Sequence, residues 1–198
     1  MGAPRAPLAP LLRDHGRRRE GARTPFRGCR AASRRGGRVS RAPAPGALVS
    51  RARASLAIPG ASLTDVESLW CTPERWPEFV DGLASVGSAD PAYPEAGSVV
   101  EWRSFPGGRG EVREIVTLCV PGEQLASRVE DELTTATQVV SFSEAQGGAT
   151  VSIELDYEIR KRGPFTAVTD LLFVRRAQAD SLRRTLAALA AVATGGPA

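Results

Sequence analysis

The chain has 198 residues, 42% of them hydrophobic, which is enough for one packed domain with an appendage. Its net charge of +4 is split. Residues 1–47 hold 12 arginines against Asp14 and Glu20, a balance of +10, and residues 48–198 hold 14 basic against 20 acidic residues, a balance of −6. An acidic domain argues against a nucleic-acid-binding core, which needs a basic face.

Residues 1–47 are Arg, Pro, Gly and Ala with almost no bulky apolar side chains. Such a composition cannot offset the entropy of ordering, so a disordered tail is expected. Three readings compete: a tail of no further role, with translation starting near Val49; an Arg-rich targeting leader; or a tether to nucleic acid or another acidic surface. No apolar segment follows Arg17-Arg18-Arg19, which argues against a secretory signal, and no run approaches the roughly 18 apolar residues of a membrane span. Cys29, Cys71 and Cys119 are scattered and His15 is the sole histidine, so no Cys/His metal site is expected. A reduced, cytoplasmic chain with no cofactor is the default.

The folded part begins with a strand over 52–58, closed by Pro59-Gly60. Ser62 is a candidate N-cap with Asp65 three residues on, opening a helix that buries Val66, Leu69 and Trp70. A second short helix starts at Thr72-Pro73 and carries Trp76 and Phe79. Strands follow over 84–89, 98–105, 111–120, 124–133, 137–144 and 149–160. In 111–120, Val112, Glu114, Val116, Leu118 and Val120 share one face; Arg113, Ile115, Thr117 and Cys119 share the other. The cleanest alternation is in the last strand, with Val151, Ile153, Leu155, Tyr157 and Ile159 inward. A single helix is then expected over 164–193. Its apolar stripe includes Val168, Leu171, Leu172, Leu182, Leu186 and Leu189, with Pro164 at its start and Gly195-Gly196-Pro197 after its end.

Turn-length links imply antiparallel hairpins, and one wet face implies that the helix covers the other. The expected class is α+β: a curved antiparallel sheet of about six to seven strands wrapped around the C-terminal helix, with two short helices after the first strand. A twisted sheet of this size curls, leaving a gap beside the helix.

This order resembles the START-related helix-grip superfamily, SRPBCC, in its polyketide cyclase/dehydrase-like branch. The resemblance is carried by Thr72-Pro73-Glu74-Arg75-Trp76-Pro77-Glu78-Phe79, Val120-Pro121-Gly122-Glu123-Gln124-Leu125, Gly147-Gly148-Ala149-Thr150-Val151 and Leu182-Arg183-Arg184-Thr185-Leu186-Ala187-Ala188-Leu189. It covers roughly 52–193, so residues 48–198 are expected to form one ligand-binding domain. The resemblance implies a cavity for an apolar or aromatic small molecule such as a lipid, quinone or polyketide. It also admits a cyclase or dehydratase working in that cavity.

The expected lining is Trp76, Phe79, Trp102, Val116, Leu118, Ile153, Leu155, Tyr157, Phe165, Val168 and Leu172. Core packing is the competing role for Trp76 and Phe79, exposure for Trp102, and a satisfied core tyrosine for Tyr157. Glu114 enters the pocket as an acid or base if its face looks inward; otherwise Arg113 and Thr117 do. Tyr157 offers a ligand-contacting hydroxyl. Arg103 and Arg175 are candidates to hold an enolate or carboxylate. Cys119 is expected as a filler, since no core histidine could activate it. The loop Gly107-Gly108-Arg109-Gly110 is too short for a phosphate cradle. Nothing in the sequence fixes an oligomeric state.

Overall fold

The computed structural model describes residues 50–159 and 168–196, with side chains described for 50–158 and 174–196. The tail and the start of the predicted C-terminal helix, including Pro164 and Phe165, lie outside the described residues.

Strand β1 (Ser50–Pro59) leads to α1 (Leu63–Trp70) and a 3-10 helix (Pro73–Glu78). Ser62 caps α1 as its sequence suggests: its Oγ accepts from Asp65 N at 3.1 Å and donates to Asp65 Oδ2 at 2.7 Å. Strands β2 (Leu83–Ala89), β3 (Val99–Ser104), β4 (Glu111–Val120), β5 (Gln124–Glu130), β6 (Thr134–Ala145) and β7 (Gly148–Ile159) come next, and α2 (Val168–Ala193) closes the chain. All seven strands form one antiparallel sheet in the order β1-β7-β6-β5-β4-β3-β2. The first strand thus returns beside the last. That closure is tight: a Cβ on Gly148 would stand 2.2 Å from Ile58 O, so only glycine lets β1 and β7 meet at this corner.

Alternation decides the inner face. A cross-strand row of Val100, Glu114, Val129, Ala136, Tyr157 and Ser50 is buried from β3 to β1. The next row holds Val116, Ser127, Gln138, Leu155 and Ala52. The sheet and α2 share one core cluster, to which α2 contributes Leu182, Leu186 and Leu189.

Two strand expectations are corrected. The register of β4 against β5 shifts between Val116 and Leu118. A bulge of this kind opposes two residues to one and reverses the faces beyond it. Leu118, expected on the inner wall, is therefore 39% exposed on the outside, and Cys119 is buried in its place. Strand β5 stops at Glu130 rather than 133, because Asp131 Oδ1 accepts from Leu133 N at 2.9 Å and Thr134 N at 2.7 Å and turns the chain. Leu133, beyond the end of the strand, is 52% exposed.

Candidate functional site

The concave face of the sheet, the short helices and the middle of α2 enclose a cavity. Its described walls include Trp70, Trp76, Trp102, Arg109, Glu114, Gln138, Ile153, Leu155, Gln178, Leu182 and Thr185. Its volume is ≈ 80 Å³. That is below the roughly 300–1,000 Å³ of pockets for drug-sized ligands, so a fused-ring molecule enters only if a wall moves.

Each polar wall group has a local cause. Glu114 sits on the inner row of β4 and is 4% exposed. Its Oε1 accepts from Ser127 Oγ at 2.7 Å and, at the limit of a hydrogen bond, from Gln138 Nε2 at 3.5 Å. Burial pushes the Glu114 carboxyl above its ordinary range; the Ser127 hydroxyl, the charge of Arg109 and the nearby Trp102 indole pull it partway back. Trp102 Nε1 approaches this carboxylate without meeting hydrogen-bond geometry, and it has no other partner. Trp70 Nε1 is likewise buried and unpartnered. Trp76 differs, since its Nε1 donates to Trp70 O at 2.8 Å. Among the described residues, two buried indole donors thus line the cavity without a well-formed hydrogen bond, an arrangement that costs free energy unless an acceptor arrives.

Arg109 reaches the same cavity from the β3–β4 loop. The loop is held by Ser104 N donating to Gly110 O and Gly110 N donating to Ser104 Oγ, each at 2.9 Å. Gly107 and Gly110 take φ values of 85° and 76°, which a side chain would resist. Arg109 Nε donates to Asp131 Oδ2 at 2.8 Å, and its Cζ lies 5.9 Å from the Trp102 ring centroid.

On the far side, the loop after the 3-10 helix is tied to α2. Asp81 accepts from Ser181 Oγ at 2.7 Å and from both Arg184 Nε and Nη2 at 2.9 Å, and Asp81 N donates to Thr185 Oγ1 at 3.0 Å. Arg184 and then Ser181 hold the Asp81 carboxyl below its ordinary range.

Of the residues expected from sequence, Trp76, Trp102, Ile153 and Leu155 line the cavity. Phe79 and Val116 are buried, with the Phe79 ring tilted against Trp70 at a centroid distance of 5.7 Å. Tyr157 is buried, with an unpartnered hydroxyl that faces Ser50 out of hydrogen-bond geometry and feels the charge of Arg175. It stands three strands from Glu114 in the same row, about 14 Å along the sheet. The two do not converge on one atom.

Arg103 is corrected: its side chain points outward from β3 and pairs with Glu111 at 2.6 Å. It borders a larger, open groove of ≈ 510 Å³ that also runs past Glu101, Arg113 and Asp131. This groove is walled by ion-paired surface charges, so its size does not make it the better ligand site. Phe165 lies outside the described residues, and Val168 and Leu172 fall in the first turns of α2, beyond the described side chains. Among the described residues no helix is long and apolar enough to cross a membrane.

Sequence reasoning missed Trp70 as a cavity wall and Ser127, Gln138, Arg109 and Asp131 as its polar frame. Ser127 and Gln138 could have been found once β5 and β6 were paired with β4. Arg109 and Asp131 sit in turns, where no periodicity points the side chain.

A model of the family "Polyketide cyclase / dehydrase and lipid transport" matches residues 49–194. No curated protein sequence matches. Among solved structures, the di-domain ARO/CYC StfQ from the steffimycin biosynthetic pathway is similar, with 19% identity and a TM-score of 0.62 over 75% of this chain and 51% of that one. The chain therefore spans about half of that relative's length. A protein of unknown function from Staphylococcus aureus, SA2116, matches at 11% identity and TM-score 0.59 over 76% of this chain and 96% of that one. Truncated norcoclaurine synthase from Thalictrum flavum matches at 10% and 0.54, over 74% and 94%. At these identities the neighbours establish the helix-grip fold. The family model covers most of the chain, and with it the protein belongs to the polyketide cyclase/dehydrase and lipid transport family.

Proposed function

We propose that this protein binds an apolar or aromatic small molecule carrying an acceptor oxygen, held between the sheet and α2. The observation that carries this reading is the pair of buried, unpartnered indole N–H groups of Trp70 and Trp102 in a cavity otherwise walled by Ile153, Leu155 and Leu182. A carbonyl, quinone or phenol oxygen would satisfy those donors while the ring system packs on the apolar walls. Family membership and the structural likeness to an aromatase/cyclase support the same ligand class. Calorimetric titration with 2-acetylnaphthalene, which a wall of the cavity must move to admit, tests it. Saturable one-site binding that is weakened by Trp102→Phe is expected; absence of saturable binding by this and by alkyl ketones of similar size sinks the reading.

Glu114 favours a second reading, in which the chamber also performs cyclisation or dehydration. A buried carboxyl whose proton affinity is raised can donate to a carbonyl and take a proton from carbon in return. On that reading Glu114→Gln abolishes turnover of a poly-β-ketone mimic and leaves its binding intact. Equal loss of binding and turnover would return Glu114 to a purely structural place.

A further inference from the structure

We infer that Arg109, held by Asp131 against the Trp102 ring, is a recognition element for an anionic oxygen on the ligand, so that the preferred ligand is an aromatic acid rather than a neutral aromatic ketone. The inference rests on the cavity-binding reading above and names a narrower ligand class.

A guanidinium bridging two turns could simply be a staple, but three observations point past that role. Arg109 meets Asp131 through Nε, and among the described residues neither Nη group has a hydrogen-bond partner. The fork that matches a carboxylate in two parallel bonds is therefore free. Asp131 is itself shared: its Oδ1 takes the N–H groups of Leu133 and Thr134, leaving one oxygen for the arginine. Its negative charge is thus spread over three donors. Finally, Arg109 is the only basic residue among the described cavity walls, and the acid nearest to it on that wall, Glu114, forms no ion pair with it within 4.0 Å. Asp81, at the other end, is already taken by Arg184 and Ser181. The Arg109 end therefore holds the one cationic group among the described walls of the chamber, and Trp102 and Trp70 add indole donors to the same walls.

Orientation follows from the same contacts. Arg109 Cζ lies 5.9 Å from the Trp102 ring centroid and its Nε is held by Asp131, so two contacts restrain where the guanidinium stands. A carboxylate bound to the Nη fork would place its aromatic body beside Trp102, toward Ile153 and Leu155. A lysine at this position could reach Asp131 but could neither stack nor fork.

The test compares 2-naphthoate with its methyl ester at neutral pH, where the acid is ionised. The two share an aromatic body and carbonyl and differ in charge. The wild-type chain is expected to bind 2-naphthoate at least about tenfold more tightly than the ester, a difference of about 1.4 kcal/mol. Arg109→Met removes that preference, weakening 2-naphthoate about tenfold more than the ester; Arg109→Lys, the milder change should the first fail to fold, retains only part of it. Asp131→Asn reduces the preference without abolishing ester binding. Arg103→Met, on the outer groove, leaves everything unchanged. The inference is overturned if the wild type shows no preference, if Arg109→Met and Arg109→Lys both keep it, or if Arg103→Met is the change that removes it. Failure of both probes to bind the wild type instead overturns the cavity reading, and this one with it.

Discussion

The two ends of the space between the sheet and α2 are built on opposite principles. Toward the C-terminus of the helix, Leu186 and Leu189 are 1% and 0% exposed and share a core with Ala52, Ala54 and Ile58. Small residues on β1 let the helix come close. Around Trp102 and Glu114, by contrast, a carboxyl, an amide, a guanidinium and two unpartnered indoles stand in or beside a void. Dense apolar packing is the cheaper solution, so the polar, under-packed end is one the fold maintains at a cost in stability. That division separates stability from binding, and the two should respond to mutation separately.

The sharpest way to break the comparison is at the dry end. Leu186→Ala removes a fully buried side chain with little room to collapse and should cost about 2–5 kcal/mol in urea unfolding. Ligand affinity of the folded fraction should not change. Trp102→Phe reverses the pattern. The ring is kept and a buried, unsatisfied N–H is lost, so stability holds or rises slightly while affinity for an aryl ketone falls about tenfold.

Glu114→Gln sharpens the comparison through pH. Burial raises the Glu114 pKa above its ordinary value of 4.5, so the folded chain keeps a proton that the unfolded chain has released. Wild-type stability therefore falls as pH rises from the unfolded to the folded value, and is level beyond. The glutamine variant lacks that slope, and above the window it should exceed the wild type in unfolding titrations at matched pH. The smallest effect is expected from Arg184→Ala. Its pair with Asp81 is solvent-screened, and the variant's unfolding midpoint should shift less than that of Leu186→Ala or Glu114→Gln. What shift there is should fade as pH falls through the depressed pKa of Asp81.

The apolar faces were legible in the sequence and the polar frame of the cavity only partly so. Leu182, Leu186 and Leu189 repeat at helical spacing, and Ile153, Leu155 and Tyr157 alternate without a break, so periodicity alone assigns their faces. Glu114 stood out as the single acid on an apolar face of β4, and pairing with β3 and β5 turned that face inward. Leu118 was misplaced because one extra residue in β4 reverses every face after it, and a bulge leaves no mark in hydropathy. Arg109 and Asp131 were illegible for another reason. They meet across two turns that are 22 residues apart in sequence, and only the pairing of β4 with β5 brings those turns together.

The central claim is that Trp70 and Trp102 donate to a ligand oxygen inside the grip. The three indole N–H resonances of this chain provide a direct readout, because Trp76 already donates to Trp70 O and serves as the internal control. In a titration of the nitrogen-15-labelled full chain with 2-acetylnaphthalene, the Trp70 and Trp102 indole peaks should move downfield together and saturate, with the Trp76 peak moving least. A saturating ligand that leaves both peaks in place, or shifts only Trp76, would contradict the account.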